Sequence, residues 1–84
     1  MFDALEFSKI IYRYEEYGKE KTLLEFDRLA NRLIQTNLIR SINQIGFFCG
    51  VLQAKKIIDR NESEELLNHY NGIWKVETER SIKL

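Results

Sequence analysis

Residues 38–58, LIRSINQIGFFCGVLQAKKII, decide the fold of this chain. Apolar side chains recur here every three to four residues, which is the period of an α-helix. Between Ile45 and Leu52 they lie on nearly every side of that helix. A helix that is apolar all round is normally buried. We therefore expect a helix over residues 38–58 whose whole circumference has to be covered by other elements.

A strip of small residues runs along the predicted helix at positions i, i+4 and i+8. It consists of Gly46, Gly50 and Ala54. Glycine in a helix costs about 1 kcal/mol relative to alanine, and small residues at this spacing let another helix approach closely. Two explanations stay open. Either the same chain covers the whole helix, or the side carrying Phe47, Val51 and Ile58 is covered by a second copy or by a different protein.

Three further helices are predicted from capping residues and apolar stripes. They span residues 3–17, 22–35 and 62–75. Each begins at, or directly after, a residue that can cap a helix. A glutamate lies three positions after each of these residues, a spacing typical of capping boxes. These capping residues are Asp3, Thr22 and Asn61. The glycine at position 18 is suited to end the first helix.

The apolar spacing is interrupted between Leu33 and Leu38, so we place a break between the second and third helices near residues 35–37. Short connections favour antiparallel neighbours. The sequence therefore predicts an all-α fold, a compact bundle of about four helices in one domain over residues 1–84. Residues 76–84 alternate polar and apolar side chains, and we leave open frayed helix, loose chain or a short strand.

The composition excludes several classes of protein. Thirteen basic and thirteen acidic residues cancel, which argues against the one-signed field that nucleic-acid binding needs. Cys49 and His69 are the only cysteine and histidine, so an internal disulfide and a four-ligand zinc site are both impossible. The longest apolar run, residues 45–52, is far shorter than a membrane span. We expect a cytoplasmic protein without membrane contact, metal or cofactor, of a composition that suggests a bacterial or phage origin.

Catalytic chemistry is not predicted. His69 falls on the polar side of its helix, four residues after Glu65, and no nucleophile is placed to use it. Cys49 lies within the apolar run, where cysteine behaves as a small hydrophobe. We therefore expect neither an enzyme nor a small-molecule substrate.

The remaining hypothesis is a non-catalytic protein–protein interaction module, acting stoichiometrically as a regulator, inhibitor or adaptor of a larger protein or as a homodimer. Its predicted interface combines the small strip with the second apolar side of the helix and with two residues on the outer side of the first helix. These residues are Gly46, Phe47, Gly50, Val51, Ala54, Ile58, Leu5 and Tyr12.

A nucleic-acid-binding regulator is the alternative. Residues 29–44 faintly resemble a helix-turn-helix, and Arg40, Ser41, Asn43 and Gln44 are residue types that contact bases or phosphates. The turn is one residue shorter than in such motifs, and Ile34 stands where they usually carry glycine. The lack of surrounding basic charge also argues against this alternative.

Overall fold

A computed structural model describes residues 2–82, with side chains from residue 4 to residue 81. It confirms the predicted all-α bundle of about four helices. These are α1, Phe2–Tyr12; α2, Tyr14–Thr36; α3, Leu38–Ala54; and α4, Arg60–Ile82. The side chain of Asp3, for which capping is predicted, and residues 83–84 of the predicted tail lie outside the described part of the chain.

The junction between α1 and α2 differs from the prediction at two points. α1 ends at Tyr12 rather than near residue 17, and one turn of helix then leads to Gly18, whose φ of 79° and ψ of 169° kink α2. Glycine adopts this positive φ without steric penalty. The predicted cap at Thr22 is wrong, because that residue lies buried inside α2 and its hydroxyl has no hydrogen-bond partner among the described atoms.

The break between α2 and α3 is confirmed at Asn37, whose backbone is non-helical. The predicted end of α3 at residue 58 is wrong. The helix ends at Ala54, and Lys56 adopts a φ of 63°. This reversal turns Ile57 and Ile58 into the core, where the amide of Ile57 donates to the carbonyl of Leu52 at 3.0 Å.

The start of α4 is fixed by a reciprocal pair of hydrogen bonds. The amide of Glu62 donates to Asp59 Oδ1 at 2.8 Å, and the amide of Asp59 donates to Glu62 Oε1 at 3.0 Å. This is a capping box. The predicted cap at Asn61 is therefore wrong by two residues. The helix continues to Ile82, so residues 76–82 are helical rather than loose or extended.

The four helices form a flattened bundle around a central pair. α2 and α3 contact each other, and both contact α1 and α4, whereas α1 and α4 do not touch within the described residues. On the α1 side the rings of Phe7, Phe26 and Phe48 pack together, with centroids 4.9 Å apart for Phe7–Phe26 and for Phe7–Phe48. On the α4 side the hydroxyl of Tyr70 donates to Asp27 at 2.8 Å.

The helix directions alternate along the chain. Phe7 stacks on Phe48, and further along Ile11 and Ile57 line one depression, so α1 and α3 run in the same direction. α2 and α4 run in the opposite direction to these two. Consequently α3 has α1 on one flank, α4 on the other and α2 behind it, which leaves a single free side.

Candidate interaction surface

The free side of α3 is the candidate functional surface. The buried positions of α3 face the other three helices and comprise Ser41, Ile45, Phe48, Cys49 and Leu52. The exposed positions recur at spacings of three to four on the remaining side. We call this surface the outer α3 face, formed by Ile39, Asn43, Phe47, Gly50 and Ala54.

The outer α3 face is largely apolar, with the polar Asn43 between its two large side chains and the charged Arg40 beside it. Ile39 is 86% exposed and Phe47 is 66% exposed, although both are large hydrophobic side chains. Arg40 follows Ile39 directly and lies seven residues before Phe47, so this exposed charge shares the same side of α3, whereas residues 41–54 carry no charge. Scattered exposed apolar residues are common on protein surfaces, but these two large side chains lie on one side of α3 together with the exposed small residues Gly50 and Ala54.

Among the described residues, only Gly46 of the small strip faces another helix of the chain. A Cβ built on Gly46 would lie 3.7 Å from Leu67 Cδ1 of α4, which is an ordinary contact. A Cβ built on Gly50 would meet no described atom within 4 Å, and Ala54 is exposed. Gly46 therefore belongs to the α3–α4 contact, whereas Gly50 and Ala54 belong to the outer face. Whether they contact a partner stays a prediction.

The other predicted interface residues on this side are separated by the structure. Val51 is half-buried and packs against the core. Ile58 is only 3% exposed, because α3 ends four residues before it. Ile58 is therefore unavailable to a partner, and its assignment to the interface is wrong. Sequence reasoning missed Ile39, although its position eight residues before Phe47 places it on the same helix face.

A second exposed surface lies on α1. Leu5 and Tyr12 are 55% and 90% exposed, as their position opposite the apolar stripe suggests. Tyr12 lines a shallow depression together with Ser8, Lys9 and Arg13. We call these five residues the α1 patch. It combines apolar and aromatic area with two positive charges, and its contact with a partner likewise stays a prediction.

Cys49 and His69 lie in different settings, one buried and one exposed. Cys49 is buried in α3, and desolvation raises the pKa of its thiol to about 11. A reactive cysteine needs the opposite shift. His69 is exposed beside the ring of Tyr70, with centroids 5.1 Å apart. Within residues 2–82 no three acidic, histidine or cysteine side chains group together in a way that could hold a metal ion.

The alternative helix-turn-helix segment is only partly accessible. Ser41 is buried and its hydroxyl donates to the carbonyl of Leu38 at 2.8 Å. The side-chain oxygen of Gln44 is also buried. Only Arg40 and Asn43 of the four candidate contact residues are exposed. Two of the side chains that would have to reach a nucleic acid therefore point into the bundle.

None of the helices in the described range has the length and apolar character needed to cross a membrane. Comparison of the chain with protein-family models, curated proteins and solved structures gives no match.

Proposed function

We propose that this chain is a non-catalytic protein–protein interaction module that acts stoichiometrically as a regulator, inhibitor or adaptor of a larger protein. The supporting observation is the exposure of Phe47 and Ile39 on the outer α3 face, because large exposed apolar side chains favour association. We further propose that it works in the cytoplasm of a bacterial or phage-infected cell and as a homodimer. In that form the outer α3 face is occupied by a second copy.

We assign the binding site for the larger protein to the α1 patch. Tyrosine and arginine are enriched among the residues that dominate binding energy, and Tyr12 and Arg13 are adjacent at the end of α1. Lys9 lies one helical turn before Arg13 and adds a second positive charge. The complementary partner is an acidic segment with an apolar side chain that covers Leu5 or Tyr12.

A site-specific photo-crosslinking amino acid tests this function in cells of the natural source. It replaces Ser8 in the α1 patch and, in a separate variant, Asn68, an exposed polar residue of α4. The Ser8 variant should give one discrete adduct with a larger protein, and a further substitution of Tyr12→Ala should weaken it. Calorimetry with the purified partner should then saturate at one partner per chain or per dimer.

Three results would contradict the proposal. The first is the absence of a discrete adduct from Ser8, and the second is the same set of adducts from Asn68. The third is an adduct that survives both Tyr12→Ala and Leu5→Ala. Circular dichroism of each variant checks that it remains folded, which is expected because Leu5 and Tyr12 are largely exposed.

A further inference from the structure

We infer that the larger protein binds across Tyr12, with a carboxylate on one side of the ring against Lys9 and Arg13, and an apolar side chain on the other side, in the depression between α1 and the turn that follows α3. The inference rests on the proposed function, because it specifies how the α1 patch recognises the larger protein. It also extends the binding site to Lys55 and Ile57, which lie outside the α1 patch.

The exposed ring of Tyr12 borders two depressions. Tyr12 is the last residue of α1, and its side chain is 90% exposed. The first depression is the one that it lines with Ser8, Lys9 and Arg13. We call the second the α1–α3 depression, and its other lining residues are Ile11, Tyr14, Glu15, Lys55 and Ile57. Because Tyr12 lines both depressions, groups bound in the two would contact the same ring.

The first depression carries two cations that have no carboxylate partner among the described residues. Lys9 and Arg13 lie one helical turn apart, both are exposed, and neither forms an ion pair within the part of the chain that the structure describes. Among the nearby carboxylates, Glu6 is already paired with Arg32. Glu16, three residues after Arg13, offsets only one of the two positive charges. A carboxylate of a partner would therefore gain charge-assisted contacts in this depression.

The α1–α3 depression has a different character. Its lining includes the buried Ile11 and Ile57 and the half-buried Tyr14. Lys55 and Glu15 are both exposed, and their charges cancel. An apolar side chain bound there would meet apolar surface without net charge, whereas a second carboxylate would meet Glu15 as well as Lys55. The α1–α3 depression therefore favours an apolar side chain.

The charges also distinguish between occupants of this site. A basic segment would be repelled by Lys9 and Arg13. A second copy that used the same surface around a two-fold axis would bring these cations against their own equivalents. A segment of the larger protein that carries a carboxylate beside an apolar side chain meets neither obstacle, and it complements both depressions.

The photo-crosslinking amino acid that tests the proposed function also tests this inference when it replaces Lys55. This residue lines the α1–α3 depression but not the first depression. If one segment spans Tyr12, the Lys55 variant should give an adduct with the same protein as the Ser8 variant. Lys75 is the matched control, because it is also an exposed lysine but lies on α4, which does not touch α1 within the described residues. The Lys75 variant should give no such adduct.

Calorimetry with the protein recovered in the Ser8 adduct tests the charge of the site. The double substitution Lys9→Glu and Arg13→Glu should weaken binding about tenfold or more. Raising the salt concentration should narrow that difference, because salt screens exposed charges. Lys75→Glu should leave the affinity unchanged. Circular dichroism checks that each variant remains folded, which is expected because all three side chains are exposed.

The outcomes separate this inference from the proposed function. The absence of a Ser8 adduct would contradict the proposed function and this inference with it. A Ser8 adduct without the same adduct from Lys55 would overturn binding across Tyr12 and leave the proposed function standing. The same adduct from Lys75 would also overturn it. An affinity that is insensitive to the double charge reversal would overturn the acidic character of the bound segment.

Discussion

Replacing Gly50 with alanine should have opposite effects on the single chain and on the dimer. Gly50 lies within α3, is exposed, and offers open space to an added Cβ. Alanine should therefore raise the free energy of unfolding of the monomer by about 0.5–1 kcal/mol, the difference in helix propensity. For a chain of this size, the melting temperature should rise by roughly 2–8 °C.

In the proposed homodimer the outer α3 face is covered by a second copy, and a methyl group added at Gly50 would fill space within that contact. Overfilling a packed contact costs about 1–3 kcal/mol, so association should weaken by about tenfold or more even though the monomer becomes more stable. Gly72→Ala is the matched control. Gly72 is also exposed within a helix and also has no described atom within 4 Å of an added Cβ. It should give the same stabilisation without any effect on association.

The assay combines urea unfolding by circular dichroism at low concentration with light scattering at high concentration. Destabilisation of the dilute monomer by Gly50→Ala would refute the exposed position of this residue. Equal association of the Gly50→Ala and Gly72→Ala variants would refute a homodimer contact at Gly50. Because both variants gain the same helix propensity, any difference between them reports the outer α3 face alone.

Three further predictions concern the interior and the cap. Asp59→Ala removes the oxygen that accepts the amide of Glu62 and should lower the free energy of unfolding by about 1 kcal/mol in urea titration. Asp59→Asn should retain most of that stability. Tyr70→Phe removes the 2.8 Å hydrogen bond to Asp27 and should cost about 1–2 kcal/mol; unchanged stability would mean that this hydrogen bond contributes nothing. Burial raises the pKa of Cys49 from 9.0 to about 11, so its contribution to stability should be complete below about pH 9 and fall as the pH rises toward 11. Unfolding titrations across this range should show a smaller decline for Cys49→Ala, and identical declines would contradict the shift.

The helical fold class and the break at Asn37 could be predicted because both follow directly from the spacing of the apolar residues along the sequence. The end of α3 could not be predicted from the sequence, since residues 55–58 continue the helical spacing of apolar residues. Lys56 moreover adopts a positive φ, which residues other than glycine rarely adopt. Burial of Ile57 and Ile58 stabilises that turn, and burial depends on the whole fold.

The start of α4 was ambiguous for a different reason. Asp59 and Asn61 each precede a glutamate by three residues, so the sequence offers two equivalent capping boxes. Only the first forms hydrogen bonds. For the candidate surface, Phe47 could be found from its position opposite the main stripe. The contribution of Ile39 emerged only once the flanks of α3 were known.

The most direct test of the account is the mass of the unmodified chain by sedimentation equilibrium, from about 10 μM to about 1 mM, the range expected for a small interface. If the outer α3 face binds a second copy, the mean mass should rise with concentration from 10.1 kDa toward twice that value, while Phe47→Lys should remain at the monomer mass. A constant mass of 10.1 kDa for the unmodified chain over the whole range would contradict the account.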